Sequence, residues 1–215
     1  MIGSLAGVLA AAAVFVASHM LLSSDAMRPA LIGQLGEGGF RILYSLVALA
    51  ALAWLVAAYA SAPYVGLWPE SRWTRYVPLV VMPFAAVLAL CGATTRSPFA
   101  VGGEALAESS DPVPGVLKVT RHPVLWALAL WALAHIPPNG DVASLILFAA
   151  FAVLAFAGMY HIDRRRERSL GAAWGPIALT TSVLPFAAIA SGRVKLDFAK
   201  IGAWRLLAGV AVYLA

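Results

Sequence analysis

The chain has 215 residues, of which 62% are hydrophobic and only 12% charged, with a mean hydropathy of +0.86. A soluble domain is nearer half apolar and a quarter charged, so these values exclude a water-soluble globular fold and point to an integral membrane protein. The net charge of +5 is no sign of nucleic acid, because excess Lys and Arg in a membrane protein marks the cytoplasmic loops; the single cysteine, Cys91, excludes an internal disulfide and a cysteine-based metal site.

The length suits one domain, residues 1–215, folded as an all-α membrane bundle with short loops. A first helix is predicted over residues 3–22, rich in Ala and Gly, with His19 near its end. No basic segment precedes it and no small-residue cleavage pattern follows, so it reads as a retained helix. Arg28 and Pro29 then open a loop through GQLGEGG. With no strand before it and no Lys-Ser/Thr after it, this is a flexible turn and not a phosphate loop. A second helix is predicted over 40–60, with Arg41 and Tyr44 one turn apart on one face. The following loop carries Trp68, Trp73 and Tyr76, an interfacial aromatic belt.

A third helix is predicted over 78–93, kinked at Pro83, and then a polar loop over 94–116 with Glu104, Glu108 and Asp111. The fourth helix opens on Pro123, whose missing N–H suits the first helical position. Arg121 and His122 stand at its mouth, where backbone N–H groups and the dipole favour an anion. Pro137 and Pro138 end it, Asn139-Gly140 makes a tight turn, and Asp141 caps a fifth helix reaching about residue 162. A charged block, Asp163 to Arg168, follows, then a weaker apolar segment over 176–189. The last segment, 201–215, is short for a span and is either a partial helix or part of a longer native chain.

The positive-inside rule orients the chain. With Arg164–Arg168 in the cytoplasm and five helices spanning, Arg28, Arg41, Arg96, Lys118 and Arg121 are inside and only Arg72 and Arg75 outside. Keeping Arg193, Lys195, Lys200 and Arg205 inside requires that 176–189 be re-entrant or interfacial. The expectation is therefore five full spans, a re-entrant or interfacial segment and a C-terminal helix, with the N-terminus outside.

Ionisable groups within membrane helices are costly and are functional candidates. They are His19, His122, His135 and His161, with Arg121 and Asp163. His161 and Asp163, among arginines, read as an ordinary solvated helix end. His122 is equally a helix cap or a site residue. His19 and His135 lie in apolar runs, as interhelical polar contacts or as ligands, since imidazole in an apolar pocket suits haem. His122 and His135 are about 20 Å apart along one helix and cannot share a metal.

The blocks GVLKVTRHPVLWALALWALAHIPPNGD and HIDRRRERSLG, with SHMLLSSDAMRPALIGQLGEGGFRILYSL before them, resemble the NnrU family of bacterial membrane proteins over most of residues 15–175. The resemblance implies a link to nitrite and nitric oxide reduction, the chemistry of denitrification, and kinship with the plastid 15-cis-zeta-carotene isomerases, which are haem b proteins. Carried across by position, the isomerases' two axial haem ligands match His19 and His135. Ala132 stands where those enzymes carry a cysteine, so thiolate exchange at that place is unavailable. In the expected topology His19 lies near the cytoplasmic end of its helix and His135 toward the outer end of its own. Either tilted helices bring them together or His19 pairs with His122 or His161.

Arg121-His122-Pro123, then the charged block, Leu170-Gly171, Trp174 and Leu184-Pro185, is also similar to membrane isoprenylcysteine and phospholipid methyltransferases, which hold S-adenosylmethionine. Asp163-Arg164 stands where their acidic pair would be, and Ala127 where a glycine is expected. Three functions follow. The first is a haem b protein supporting nitrogen-oxide respiration or redox-dependent isomerisation of a lipid-soluble substrate, its cofactor held by His19 and His135 with Arg121 and His122 as further cofactor-binding residues. The second is a methyltransferase. The third is a non-catalytic assembly factor for a partner such as nitric oxide reductase.

Overall fold

A computed structural model describes residues 3–100 and 102–214, and helices dominate them, with no β-strand among the described residues. α1 (Leu5–Leu22) starts where the Ser4 hydroxyl accepts the Gly7 N–H at 3.1 Å. α2 (Met27–Ala60) begins earlier than expected. Pro29 is tolerated in its first turn, and Ala30, Leu31, Gln34 and Leu35 favour helix, so the expected flexible loop shrinks to one break at Gly36 (φ 70°, ψ 168°). α3 (Arg72–Thr94) also starts early and carries Trp73 and Tyr76 on its first turns, their rings 6.0 Å apart.

α4 (Pro123–Asn139) opens on Pro123 as expected, but Pro137 and Pro138 do not end it: both lie inside its last turn and the helix runs on to Asn139. α5 (Val142–Leu170) is capped by Asp141, whose Oδ1 accepts the Ser144 N–H at 3.0 Å. It runs well past residue 162 and takes the whole charged block into the helix. Segment 176–189 falls into α6 (Trp174–Thr180) and α7 (Ala187–Ala190), with extended backbone at Thr181 and a left-handed Phe186 between them. Helices of 7 and 4 residues cannot cross a bilayer, in keeping with a non-spanning segment. α8 (Phe198–Ile201) and α9 (Ala203–Leu214) complete the chain; Ala215, the end of the predicted last segment, lies outside the described residues.

Among the described residues, four helical stretches, Leu5–Leu22, Met27–Ala60, Arg72–Thr94 and Val142–Thr180, are long and apolar enough to cross a membrane. α4, at 17 residues, sits at the lower end of the spanning range of about 17–25. Large apolar side chains point outward, Leu46, Leu49 and Phe84 being 61%, 64% and 65% exposed. In water such faces would drive aggregation; in lipid they are the ordinary solvent-facing surface. The protein is a helical membrane bundle.

The chain divides into two compact units. The first holds residues up to Pro78 and Ala132–Ala157. There Gly7, Val8, Ala11, Ala12 and Phe15 bury one face of α1, and Ala51, Leu55 and Ala58 one face of α2. Small residues let helices approach closely, which matters because lipid gives no hydrophobic drive between them. The Gly3 N–H donates to Ser61 Oγ at 3.1 Å, setting the start of α1 beside the end of α2. Val142 N–H donates to Val65 O at 2.9 Å, Leu67 N–H to Gly140 O at 2.7 Å, and Trp68 Nε1–H to Pro137 O at 2.9 Å. The start of α1, the end of α2, the end of α4 and the start of α5 therefore share one end of this unit.

The second unit holds Leu79–Trp131 and Gly158–Ala215. α9 lies along α3: a Cβ on Gly209 would meet Val87 Cα at 2.7 Å, the Arg205 side chain caps Thr94 O at 3.2 Å, and Tyr213 OH donates to Leu79 O at 3.1 Å. The start of α4 approaches α3 as closely, a Gly92 Cβ falling 2.8 Å from Pro123 Cγ. Segment 181–186 is tied to the entry of α4 by Arg121 N–H to Ser182 O, Phe186 N–H to Val119 O, and Thr120 Oγ1–H and Trp126 Nε1–H to Val183 O. Irregular backbone survives in a membrane protein only where its polar groups are satisfied in this way.

Candidate functional site

His19 belongs to the first unit and is half-buried. Its Nδ1 lies 2.6 Å from Phe15 O. A carbonyl can only accept, so Nδ1 carries the proton and Nε2 keeps its lone pair. This second-contact arrangement fixes the tautomer and raises the basicity of a metal-binding imidazole. The ring sits edge-on to Phe15 (4.6 Å) and to Tyr44 of α2 (5.6 Å).

His135, also half-buried, stacks on Phe148 of α5 at 5.5 Å and 29°. Phe15 meets Phe151 of the same helix at 5.2 Å. Phe148 and Phe151, three residues apart, lie on one face of α5. The two histidines thus belong to one unit and to one aromatic series: His19, Phe15, Phe151, Phe148, His135.

Their depths differ. From the shared end of the unit, His19 stands about 21 Å along α1 and His135 about 6 Å back along α4, at 1.5 Å per residue. Helical Cβ atoms tilt toward the N-terminus. α1 runs away from the shared end and α4 toward it, so the His19 ring leans back and the His135 ring leans inward, each toward the other's level. No group of three or more His, Cys, Asp or Glu side chains able to hold a metal ion occurs among the described residues. An axial pair needs only two; the tautomer-fixed His19 imidazole in an apolar aromatic lining is the kind of ligand a haem takes, while a difference in depth of about 15 Å at 1.5 Å per residue stands against both rings reaching one iron without tilted helices.

Arg121 and His122 belong to the second unit and have a different partner. The buried His122 ring donates Nε2–H to Asp163 Oδ1 at 2.8 Å, and Arg121 Nη2 stands 3.3 Å from Asp163 Oδ2. The reading of Asp163 as a solvated helix end is overturned: α5 continues past it and turns it inward, with 17% of its side chain exposed. His161, two residues earlier, is exposed against Tyr160, as expected. Nor does the His122 ring cap its own helix; it reaches across to α5.

Phe99 packs on both His122 (5.8 Å) and Trp174 (6.2 Å), and the Arg121 guanidinium lies 5.2 Å from the Trp174 ring centre. Burial pulls the Arg121 guanidinium below its ordinary pKa, against the opposing charge of Asp163. One turn on from Asp163, the buried Arg166 binds Glu104 and the carbonyls of Phe99 and Ala100. Burial raises the Glu104 carboxyl, but the Arg166 hydrogen bond and charge outweigh it and hold the group below the usual carboxylate range. Arg166 and Glu104 were not assigned to a site from sequence, whereas Asp163 was one of three anions open as a partner for Arg121. The available signal was the spacing of Asp163 and Arg166, three apart, which puts both on one face once the charged block is helical.

The family model described as NnrU protein matches residues 8–215. Among curated proteins, the chain is 34% identical over 82 residues to the chloroplastic 15-cis-zeta-carotene isomerase of Zea mays, and 33% identical over 82 residues to that of Arabidopsis thaliana. Each match covers 38% of this chain and 22% of the relative, so the similarity spans about a fifth of those isomerases. No solved structure matches the chain significantly.

Proposed function

The chain belongs to the NnrU family, and on that footing we propose that it is a haem b protein of the bacterial inner membrane, N-terminus outside. His19 and His135 would hold the haem iron. Its role is in nitrite and nitric oxide reduction, beside a partner such as nitric oxide reductase, or in redox-dependent isomerisation of a lipid-soluble substrate. The observation that carries this reading is the His19 Nδ1–Phe15 O hydrogen bond at 2.6 Å, which leaves Nε2 as the free ligand atom in an apolar aromatic setting shared with His135.

A haem so held supplies one-electron chemistry whose potential the axial ligands tune. The residues of this chain do the rest. The Phe15 carbonyl holds the His19 proton on Nδ1 and fixes the ring plane. Phe15 packs edge-on to the His19 ring and Phe148 stacks on the His135 ring, so each imidazole has an apolar neighbour. Ala132, buried on α4 three residues before His135, offers no competing thiolate.

The methyltransferase reading asks Arg121 and His122 to hold a cofactor carboxylate. Both already serve Asp163, so that reading must break two buried contacts first. Purification from haem-replete cells tests the proposal: it expects a Soret band that His19→Ala and His135→Ala each weaken or shift. A protein without the band, or a band indifferent to both substitutions, removes the ligand assignment.

A further inference from the structure

We propose that Arg121, His122 and Asp163 form a proton-binding site, in which His122 takes up one proton and Asp163 then changes the cation it mainly serves. The proposal stands on the second unit alone and does not depend on haem. Asp163 offers its two oxygens separately, Oδ1 to His122 at 2.8 Å and Oδ2 to Arg121 at 3.3 Å. The side chains of His122, Arg121 and Asp163 are 3%, 11% and 17% exposed, so water and salt screen them little. With His122 neutral, its Nε2–H is a neutral donor, Arg121 is the counter-charge, and the three groups sum to zero. A proton from solvent can add only at Nδ1, because Nε2 already carries one. The imidazolium then makes the shorter, charge-assisted contact with Asp163, and Arg121 shares a carboxylate already taken.

The surroundings support a titration set by this trio. From its own segment His122 faces Arg121, and from α5 it faces Asp163. Phe99 and Trp174, which wall the cluster, carry no charge. Arg166 lies one turn along α5 but is held by Glu104 and two carbonyls, and Arg193 acts on Arg121 through space. Histidine is the side chain whose proton exchange falls near neutral pH. The Arg121 backbone N–H also holds Ser182 O at 2.9 Å, so a loosened Arg121 side chain adjoins the irregular 181–186 segment.

The full chain, labelled with ¹⁵N-histidine in lipid nanodiscs, provides the test. The four histidines are assigned by one His→Gln substitution each. On acidification His122 should pass from one protonated nitrogen to two. Asp163→Asn should weaken its proton affinity by about tenfold or more, and Arg121→Gln should strengthen it. Asp163→Glu, which keeps a carboxylate, should restore most of the affinity lost in Asp163→Asn. A His122 that holds one state throughout overturns the proposal, as does a titration that neither substitution moves. If Asp163→Asn does not fold, the wild-type and Arg121→Gln titrations decide alone.

Discussion

Asp163→Ala removes one carboxylate and leaves two buried groups that used it. Removing one partner of a buried ion pair costs about 3–5 kcal/mol, because the remaining charge stays uncompensated. Arg121 keeps its charge at the mouth of α4, where the dipole is also unfavourable to a cation. The partial exposure of Asp163 (17%) and Arg121 (11%) lets some water reach the orphaned guanidinium, which places the loss toward the lower end, about 3 kcal/mol. Asp163→Asn should cost less, since the amide oxygen still accepts the His122 N–H. Reversible unfolding in mixed micelles, followed by tryptophan fluorescence, measures both. The double variant with Arg121→Gln should lose less than the sum of the two single losses, because the guanidinium that Asp163→Ala strands is then absent. An Asp163→Ala protein within about 0.5 kcal/mol of wild type, the range of ordinary surface changes, would refute the buried cluster.

Glu104 adds a pH dependence of known sign. Its folded pKa lies below the ordinary carboxyl value, so its contribution is present above that value, about 4.3, and fades as pH falls through the lower folded value. Glu104→Gln should therefore be less stable than wild type near neutrality and match it in strong acid, a convergence visible in melting temperature against pH; because Glu104 is 48% exposed, the gap should be modest. Gly115 adopts φ +56°, and a Cβ there would stand 2.6 Å from Lys200 O. Gly115→Ala should cost about 1–3 kcal/mol in the same unfolding assay, and a neutral result would remove the close approach of segment 115–118 to α8.

Much of the fold was legible because membrane helices announce themselves by length and hydropathy. Pro123 marked the start of α4 and Asp141 the cap of α5, each through local chemistry. The extents of α2, α3 and α5 were not. A run such as GQLGEGG looks flexible by composition, yet only Gly36 leaves helical geometry, and the residues around it simply propagate the helix. Arginine is a good helix former, so the charged block lengthens α5 where polarity alone suggested an end. His19 and His135 were readable as polar groups in apolar runs. The pairing of Arg121 with Asp163 was one of three partners open from sequence, but the His122–Asp163 contact, between residues about 40 apart, and its burial appear only when α5 continues past residue 162. The one-face spacing of Asp163 and Arg166 becomes informative only then.

The central claim is paired axial ligation by His19 and His135, and low-temperature electron paramagnetic resonance of the oxidised protein tests it most directly. Two imidazole nitrogens on one ferric haem give a low-spin signal. Wild type should show it, and His19→Ala and His135→Ala should each convert bound haem to a high-spin signal or lose the haem. A high-spin wild-type spectrum, or a low-spin signal that survives either substitution unchanged, would contradict the account.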